Sequence, residues 1–322
     1  MSFEDDIKDK AIELGFDAVG ITDSSVIGSE QVEYFSEWIG AGYAGRMEYM
    51  QRDFEKRIDP SKLLENARSV IVVGLNYKPV RGKAKAPDAA RPPRDRPAGR
   101  VADYALYEDY HPFMKERLRK LGESINSMAG EDVRFKICVD SAPLAERALA
   151  VRAGLGFVGK NRMVINHALG PEIFLAEIVT TVKLQADKAI SGNCGDCTKC
   201  LEACPTGALR ADGQFDATKC ISYLTIEHKG SIADEHAQRI GNRLFGCDEC
   251  VAACPHQIEA PACGNKQFRF YPRRSELELE EVLRLSGESF GREFGDSPIK
   301  RLGPEGLKRN ARICATNAMR SK

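Results

Sequence analysis

The sequence predicts an α+β fold: a sheet domain, a compact cysteine-rich module set into its second half, and a short helical C-terminal tail. Three observations predict it. Strand-length apolar runs alternate with amphipathic helical stretches over the first half, eight of the eleven cysteines lie between residues 194 and 254, and helical periodicity returns after them. The expected division is residues 1–187, 188–262 and 263–322.

Taken in order, EDDIKDKAIELGF is acidic and amphipathic and predicts a helix over residues 4–15. VGIT follows as a strand, EYFSEWIGAG as a helix, and the β-branched run SVIVVGLNY as a second strand. Residues 79–100, PVRGKAKAPDAARPPRDRPAGR, carry seven Lys or Arg against two Asp and little that a core would take up, so a long mobile loop is expected. That loop is either a solvated surface or a basic arm for a phosphate backbone. DYHPFMKERLRKLGESINSM reads as a long amphipathic helix, and VRFKICVD as a strand whose end delivers Asp140. PLAERALAVRAGLG predicts a helix that begins with Pro143 and stops at glycines. GKNRMVIN and GPEIFLAEIVTTVKL look like turn-linked strands, and SELELEEVLRLS is the clearest helix of the tail.

The cysteines carry the chemistry. Cys194, Cys197, Cys200 and Cys204, followed by Pro205, read C-x2-C-x2-C-x3-C-P, the bacterial ferredoxin spacing in which three thiolates hold one 4Fe-4S cube and the fourth serves its neighbour. The second run, Cys247, Cys250 and Cys254 before Pro255, has Leu244 where a ferredoxin places its first cysteine, and Cys220 is the natural replacement. Cross-over logic assigns Cys194, Cys197, Cys200 and Cys254 to one cluster, and Cys204, Cys220, Cys247 and Cys250 to the other. Structural zinc rarely uses this ladder, and disulfides do not suit so close a run without a signal peptide. Cys138, Cys263 and Cys314 read as ordinary thiols.

Composition excludes other classes. Formal net charge is zero, so a nucleic-acid site must be a local patch. No apolar run reaches membrane-spanning length, and neither a secretory n-region nor a twin-arginine motif opens the sequence, so a cytoplasmic protein is expected. No G-x-G-x-x-G follows a strand and no G-x-x-x-x-G-K-[ST] is present, which argues against a Rossmann or P-loop nucleotide site. AGLGFVGKN lacks the trailing Ser or Thr and is either a helix C-cap with a tight turn or a cofactor-contacting loop.

CVDSAPLAERALAVRAGLGFVGKNRMVIN, GPEIFLAEIVTT, the cysteine ladder, CISYLTIEHKG and FGDSPIKRLGPEGLKRN together resemble the epoxyqueuosine reductases, cobalamin-dependent iron-sulfur enzymes of queuosine tRNA modification. The resemblance runs from GYAGRMEYM at residue 42 to the end and keeps the order of every motif, Cys220 included. Phe157 stands where the family commonly has Trp, Gly170 and Pro171 where it often has Gly-Ser, and longer members continue into helical repeats.

The resemblance implies two-electron, two-proton removal of the epoxide oxygen of epoxyqueuosine at the tRNA wobble position. It also implies base-off cobalamin, two 4Fe-4S clusters, a tRNA anticodon stem-loop as partner, an external low-potential donor of flavodoxin or ferredoxin type, and a monomer. Asp140 is the expected proton donor and a corrin neighbour, a role that requires burial to raise its pKa; read from the residues alone it is equally a helix N-cap. Tyr104 is the second candidate for moving a proton or steadying the substrate hydroxyls, or else a core tyrosine. Arg57, Lys160, Asn161, Ser222 and Thr225 lie in family-like strings and are candidate cofactor contacts. A D-x-H begins at Asp109, but Met114 stands where the histidine-ligating motif needs glycine, so His111 reads as a packed or supporting histidine, without bonding cobalt. Arg273, Arg274, Lys300, Arg301, Lys308, Arg309 and Arg312, with the 79–100 loop, are the expected basic track for RNA. The rivals are a reductive dehalogenase-like enzyme, which usually carries an export signal, and a ferredoxin-type electron-transfer protein.

Overall fold

The computed structural model describes residues 2–80, 96–130 and 133–320. Most of the expected basic loop, residues 81–95, lies outside the described residues. Nine strands are described: β1 (Ala18–Asp23), β2 (Ser69–Asn76), β3 (Ala98–Val101), β4 (Phe135–Cys138), β5 (Phe157–Val158), β6 (Val164–Ile165), β7 (Ile173–Thr180), β8 (Arg243–Phe245) and β9 (Glu276–Glu278).

The main sheet runs β1-β2-β7-β4 with every neighbouring pair antiparallel. Its central strand β2 is buried at all eight positions because helices cover both faces. Ile71, Val73 and Leu75 face a core shared with Ile7 and with Met114, Leu118 and Leu121 of the helix Tyr110–Ala129. Val70 and Val72 face a second layer with Leu149 and Ala150 of the helix Glu146–Arg152. The first helix, Phe3–Glu13, starts with a capping box in which Ser2 and Asp5 satisfy each other's amides. Tyr110–Ala129 is capped by Asp109 and ends on Gly130 at φ 67°, the left-handed geometry glycine adopts without strain.

A second sheet, β8-β3-β9, takes one strand from each of the three segments of the chain. Two expectations change here. Residues 98–100, expected in the loop, form most of β3, and the start of SELELEEVLRLS is strand before the helix Leu279–Arg284. The alternation E-L-E fits a two-residue period as well as a helix, and β3 offers an edge: Ala98 pairs with Glu278 and Gly99 with Leu277. The C-terminal residues are no loose tail, since Leu279, Leu307 and Cys314 share the core of Ile7 and Phe245.

Two further boundaries move. The helix expected from Pro143 begins at Glu146, leaving residues 140–144 as a turn. In GKNRMVIN only Val164–Ile165 is strand, and it pairs with β5 instead of β7. No helix among the described residues is long and apolar enough to cross a membrane.

Candidate active site and cluster cradle

Cys194, Cys197, Cys200 and Cys254 line one cavity of about 70 Å³ together with Asn161, Ile165 and His256. Short helices deliver them: Lys199–Glu202 carries Cys200, and Cys254 caps Pro255–Glu259. The Lys160 amide points at Cys194 Sγ, 3.4 Å away, and the Lys160 ammonium is held by the Gly195 carbonyl at 2.7 Å. Asn161 adds a buried side-chain Nδ2 with no partner among the described residues. Lys160 and Asn161, expected as cofactor contacts, stand at this cysteine quartet. Phe157 belongs to the same wall, packed with Cys194 and Cys254.

The second quartet is as coherent. Burial pushes the thiols of Cys220, Cys247 and Cys250 up, and the charges they and Cys204 exert on one another add to it. Burial also opposes ionisation of Cys204, but the Leu209, Thr206 and Ala208 amides and the Thr206 hydroxyl bring its pKa below the ordinary value. Amides and hydroxyls turned toward sulfur are what thiolates bound to iron need. Among the described residues, no three His, Cys, Asp or Glu side chains are gathered as for a single metal ion. Leu244 explains the missing ladder position: it is fully buried in β8 against Gly99, facing the core. Ser222 bonds the Cys220 thiol, and Thr225 is buried with its hydroxyl donating to the Ile221 carbonyl at 2.7 Å and accepting the Gly246 amide at 3.0 Å. Thr225 thus holds the π-helical turn Tyr223–Glu227 to the cysteine loop.

Asp140 follows β4 and adopts φ 54°, a left-handed geometry that costs a non-glycine residue about 1 kcal/mol or more. It caps no helix: the helix begins at Glu146 with Ala145 as its cap residue. Instead, the Asp140 amide donates to Glu146 Oε1 at 2.7 Å, and Asp140 Oδ2 lies 3.3 Å from His111 Nε2. His111 Nδ1 is 2.7 Å from Asp109 Oδ1, and Lys300 Nζ is 3.2 Å from Asp109 Oδ2. Burial lowers the His111 pKa, but the hydrogen bonds and charges of Asp109 and Asp140 outweigh it and set the value at about 9. Both ring nitrogens are engaged, so a metal ligand role for His111 has no lone pair to use.

The protonation expected of Asp140 meets a correction. Burial raises its pKa, but the His111 hydrogen bond and charge, with Arg301 and Arg147, bring it below the ordinary value. The raised acids stand behind it. Glu146 is pushed up to about 7 by burial and by the Asp140 charge. Glu177, in β7 opposite Cys138 and Val72, is fully buried with neither carboxylate oxygen partnered among the described residues, and burial raises its pKa well above the ordinary range.

Tyr104 sits in the field of Asp140, Asp248, Arg301 and Glu227, with burial the main cause of its raised pKa. Its ring packs against Phe174 and Phe245 at 6.5 and 6.0 Å, and its turn is tied to the cysteine loop by Asp103 N to Asp248 Oδ2 at 2.8 Å. Arg57 lies in the field of Asp140 and Glu146, bonds the Tyr49 carbonyl at 3.1 Å, and keeps a buried Nε without a partner among the described residues. Arg301 pairs with Glu227 at 2.8 Å and lies over the Tyr49 ring.

The expected RNA track is thinner than the sequence suggests. Arg274 is 2% exposed, paired with Asp296 and stacked on Tyr271, and Arg309 donates to the His228, Gly230 and Leu224 carbonyls. Lys308 is mostly covered and pairs with Glu305. Arg273, Lys300, Arg301 and Arg312 remain at the surface. Sequence reasoning missed Glu146, Glu177, Tyr49 and Glu227. Only Glu177 left a visible signal, as the lone acid in the apolar run IFLAEIVT.

Residues 193–257 match the family described as 4Fe-4S double cluster binding domain, and residues 57–141 match Epoxyqueuosine reductase QueG, DUF1730. The epoxyqueuosine reductase of Leadbetterella byssophila is 38% identical over 308 residues, 96% of this chain and 97% of that protein. The chain belongs to the epoxyqueuosine reductase family. Among solved members, a complex with a tRNA-Tyr epoxyqueuosine-modified stem loop has TM-score 0.89 at 33% identity, covering 98% of this chain and 81% of the other. The Bacillus subtilis epoxyqueuosine reductase, solved with its aspartate-bearing catalytic loop swung out of the active site, has TM-score 0.88 at 33% identity, with 98% and 81% covered.

Proposed function

We propose that this chain reduces the epoxide of epoxyqueuosine in tRNA to the alkene of queuosine. Two electrons and two protons enter, both C–O bonds of the epoxide break, and the oxygen leaves as water. The observation that carries the reading is the convergence of Asp140, Tyr104, Arg57 and Arg301 in one polar site tied to the second cysteine quartet, in a chain alike over its length to epoxyqueuosine reductases.

Two 4Fe-4S clusters supply one-electron transfer, with Cys194, Cys197, Cys200 and Cys254 on one and Cys204, Cys220, Cys247 and Cys250 on the other. Cobalamin, base-off, supplies when bound a strongly reducing and nucleophilic cobalt centre. The residues fit it: Arg57 Nε, buried without a partner among the described residues, would donate to a corrin amide, and His111, engaged by Asp109 and Asp140, would stay with those carboxylates. Asp140 passes on the proton that goes to the substrate oxygen, taking it up from a neighbour as it reacts because its own pKa lies below the ordinary value. In this frame His111, charged below about pH 9, is its proton source across the 3.3 Å contact. Tyr104 orients the substrate hydroxyls.

Arg273, Lys300, Arg301 and Arg312 line a phosphate track for the anticodon stem, and the modified base turns out of its loop toward Asp140. An external flavodoxin- or ferredoxin-type protein delivers the electrons. Single-turnover assay of anaerobic protein carrying iron, sulfide and cobalamin, with epoxyqueuosine tRNA and a chemical reductant, tests the proposal. Nucleoside mass spectrometry should show loss of one oxygen; fully loaded protein that leaves the epoxide intact overturns it.

A further inference from the structure

The turn that carries Asp140 has an unusual anchor. Between β4 and the helix Glu146–Arg152 the backbone makes few regular bonds: Ser141 N reaches Val139 O at 2.5 Å, Leu144 N reaches Ala142 O at 2.8 Å, and Ala145 N reaches Arg57 O at 3.0 Å. Asp140 itself stands at φ 54°, with its side chain 45% exposed. A left-handed aspartate on a half-exposed turn does not hold itself in place; something must offset its backbone strain. Its amide has one partner among the described residues, Glu146 Oε1 at 2.7 Å, six residues on and at the first position of the helix.

We propose that Glu146 is a positioning residue for Asp140, its carboxylate gripping the Asp140 amide so that the turn stays left-handed and the Asp140 side chain stays in contact with His111. The inference rests on the reading of Asp140 as proton donor. A charged acceptor suits the task, because a hydrogen bond to a carboxylate is stronger than one to a neutral oxygen by about 1 kcal/mol, roughly fivefold in the population of the held turn.

The grip is adjustable. Burial and the Asp140 charge place the Glu146 pKa at about 7, against the opposing Asp140 amide, Arg147 and His111. The other groups that share its field are Glu177 on β7, Cys138 on β4, Arg57 on the segment before β2 and Tyr110 on the long helix. Glu177, whose carboxylate oxygens have no hydrogen-bond partner among the described residues, has its pKa raised well above the ordinary range by burial and by the charges of Glu146 and Asp140. Above about pH 7 Glu146 is a carboxylate and the amide is held; below it the acceptor is neutral and the hold weakens.

Hydrogen exchange read by mass spectrometry on peptides covering residues 139–145, paired with single-turnover assay of the cluster- and cobalamin-loaded enzyme, tests the proposal in Glu146→Ala and Glu146→Gln. Glu146→Ala should speed exchange of this turn roughly 10- to 100-fold, the loss of a charge-assisted bond, and slow turnover while iron and cobalamin content hold. Glu146→Gln, which keeps a neutral acceptor, should recover most of both and lose the change in protection, corrected for intrinsic exchange, that the natural protein shows near pH 7. Unchanged exchange in Glu146→Ala overturns the proposal whatever happens to turnover. Faster exchange with undiminished turnover overturns the positioning role, and Asp140→Asn measured beside it tells separately whether Asp140 is the acid at all.

Discussion

The cluster module and the Asp140 site lie side by side yet are built in opposite ways. The eight cysteines of the module lie in one stretch of 61 residues, Cys194 to Cys254, and ferredoxin spacing predicts their division into two quartets. The Asp140 site draws Tyr49, Arg57, Tyr104, His111, Asp140, Glu146, Glu227 and Arg301 from almost the whole chain, and no short motif holds more than two of them. A soft-metal site needs a fixed count of thiolates at short reach, so local spacing encodes it. A proton-handling site needs tuned fields, and fields come from whatever the fold packs nearby.

The largest effect expected from this contrast is at Cys220. Cys220→Ala should remove one cluster, leave about half of the iron that two cubes require, and abolish turnover, because a local site loses its whole function with one ligand. Iron and sulfide analysis with electron paramagnetic resonance of the reduced protein checks it. Iron content equal to that of the natural protein would mean the second quartet is not Cys204, Cys220, Cys247 and Cys250.

Next is Asp140→Asn, which keeps the shape of the turn and removes the transferable proton. Single-turnover rate should fall on the order of 100- to 10,000-fold with iron and cobalamin unchanged. A rate within a few-fold of the natural enzyme would transfer the donor role to Tyr104 or to a water.

The two regions are joined at Asn310, whose effect should be smaller and spread over both. It is fully buried, and its Nδ2 donates to Thr225 O at 2.8 Å and Leu244 O at 2.9 Å, stapling the π-helical turn to β8. Asn310→Ala leaves two buried carbonyls without that donor and should cost about 2–4 kcal/mol. Anaerobic thermal unfolding should show it, with faster loss of iron on exposure to chelator. Full stability in that variant would mean the turn and the cysteine loop are held independently.

The same contrast explains how much was legible in the sequence. The gathering of Cys194, Cys197, Cys200 and Cys254 at one cavity was legible in their spacing, because the reach of a thiolate constrains short segments directly. That Leu244 is a core residue of β8 was not readable, since β8 exists only where β3, from a distant part of the chain, pairs with it. Glu276–Glu278 reads as helix or strand until the free edge of β3 decides it. Arg274 and Arg309 looked like RNA contacts because an arginine's exposure is set by tertiary neighbours, here Tyr271 and Asp296 for one and three carbonyls for the other. The D-x-H at Asp109 was visible, but its meaning needed the structure: Asp109 caps the long helix through His111 N at 3.0 Å and also holds the His111 ring against Asp140.

That double use gives the smallest and most diagnostic prediction. The His111 pKa is raised from 6.5 to about 9, so its contribution to stability is complete below pH 6.5 and is lost as pH rises through 9. Asp109 is depressed to about 2: burial opposes ionisation, but the His111 hydrogen bonds and charge prevail, so its contribution is present above the ordinary 3.8 and lost as pH falls toward 2. The two describe one interaction and are counted once, on the order of 2 kcal/mol, discounted for the 26% exposure of the His111 side chain. Glu146 acts in the same direction but in a lower window: its raised pKa means a contribution complete below 4.5 and lost as pH rises through about 7. Comparing His111→Asn with the natural protein at each pH cancels most of the Glu146 contribution and isolates the histidine. The stability advantage of the natural protein should be largest near pH 6 and shrink steadily to pH 9.5, followed anaerobically by apparent unfolding temperature. An advantage that stays flat across that range would mean His111 is neutral in the fold, leaving Asp140 without its charged partner and restoring the protonated acid that the family resemblance implied.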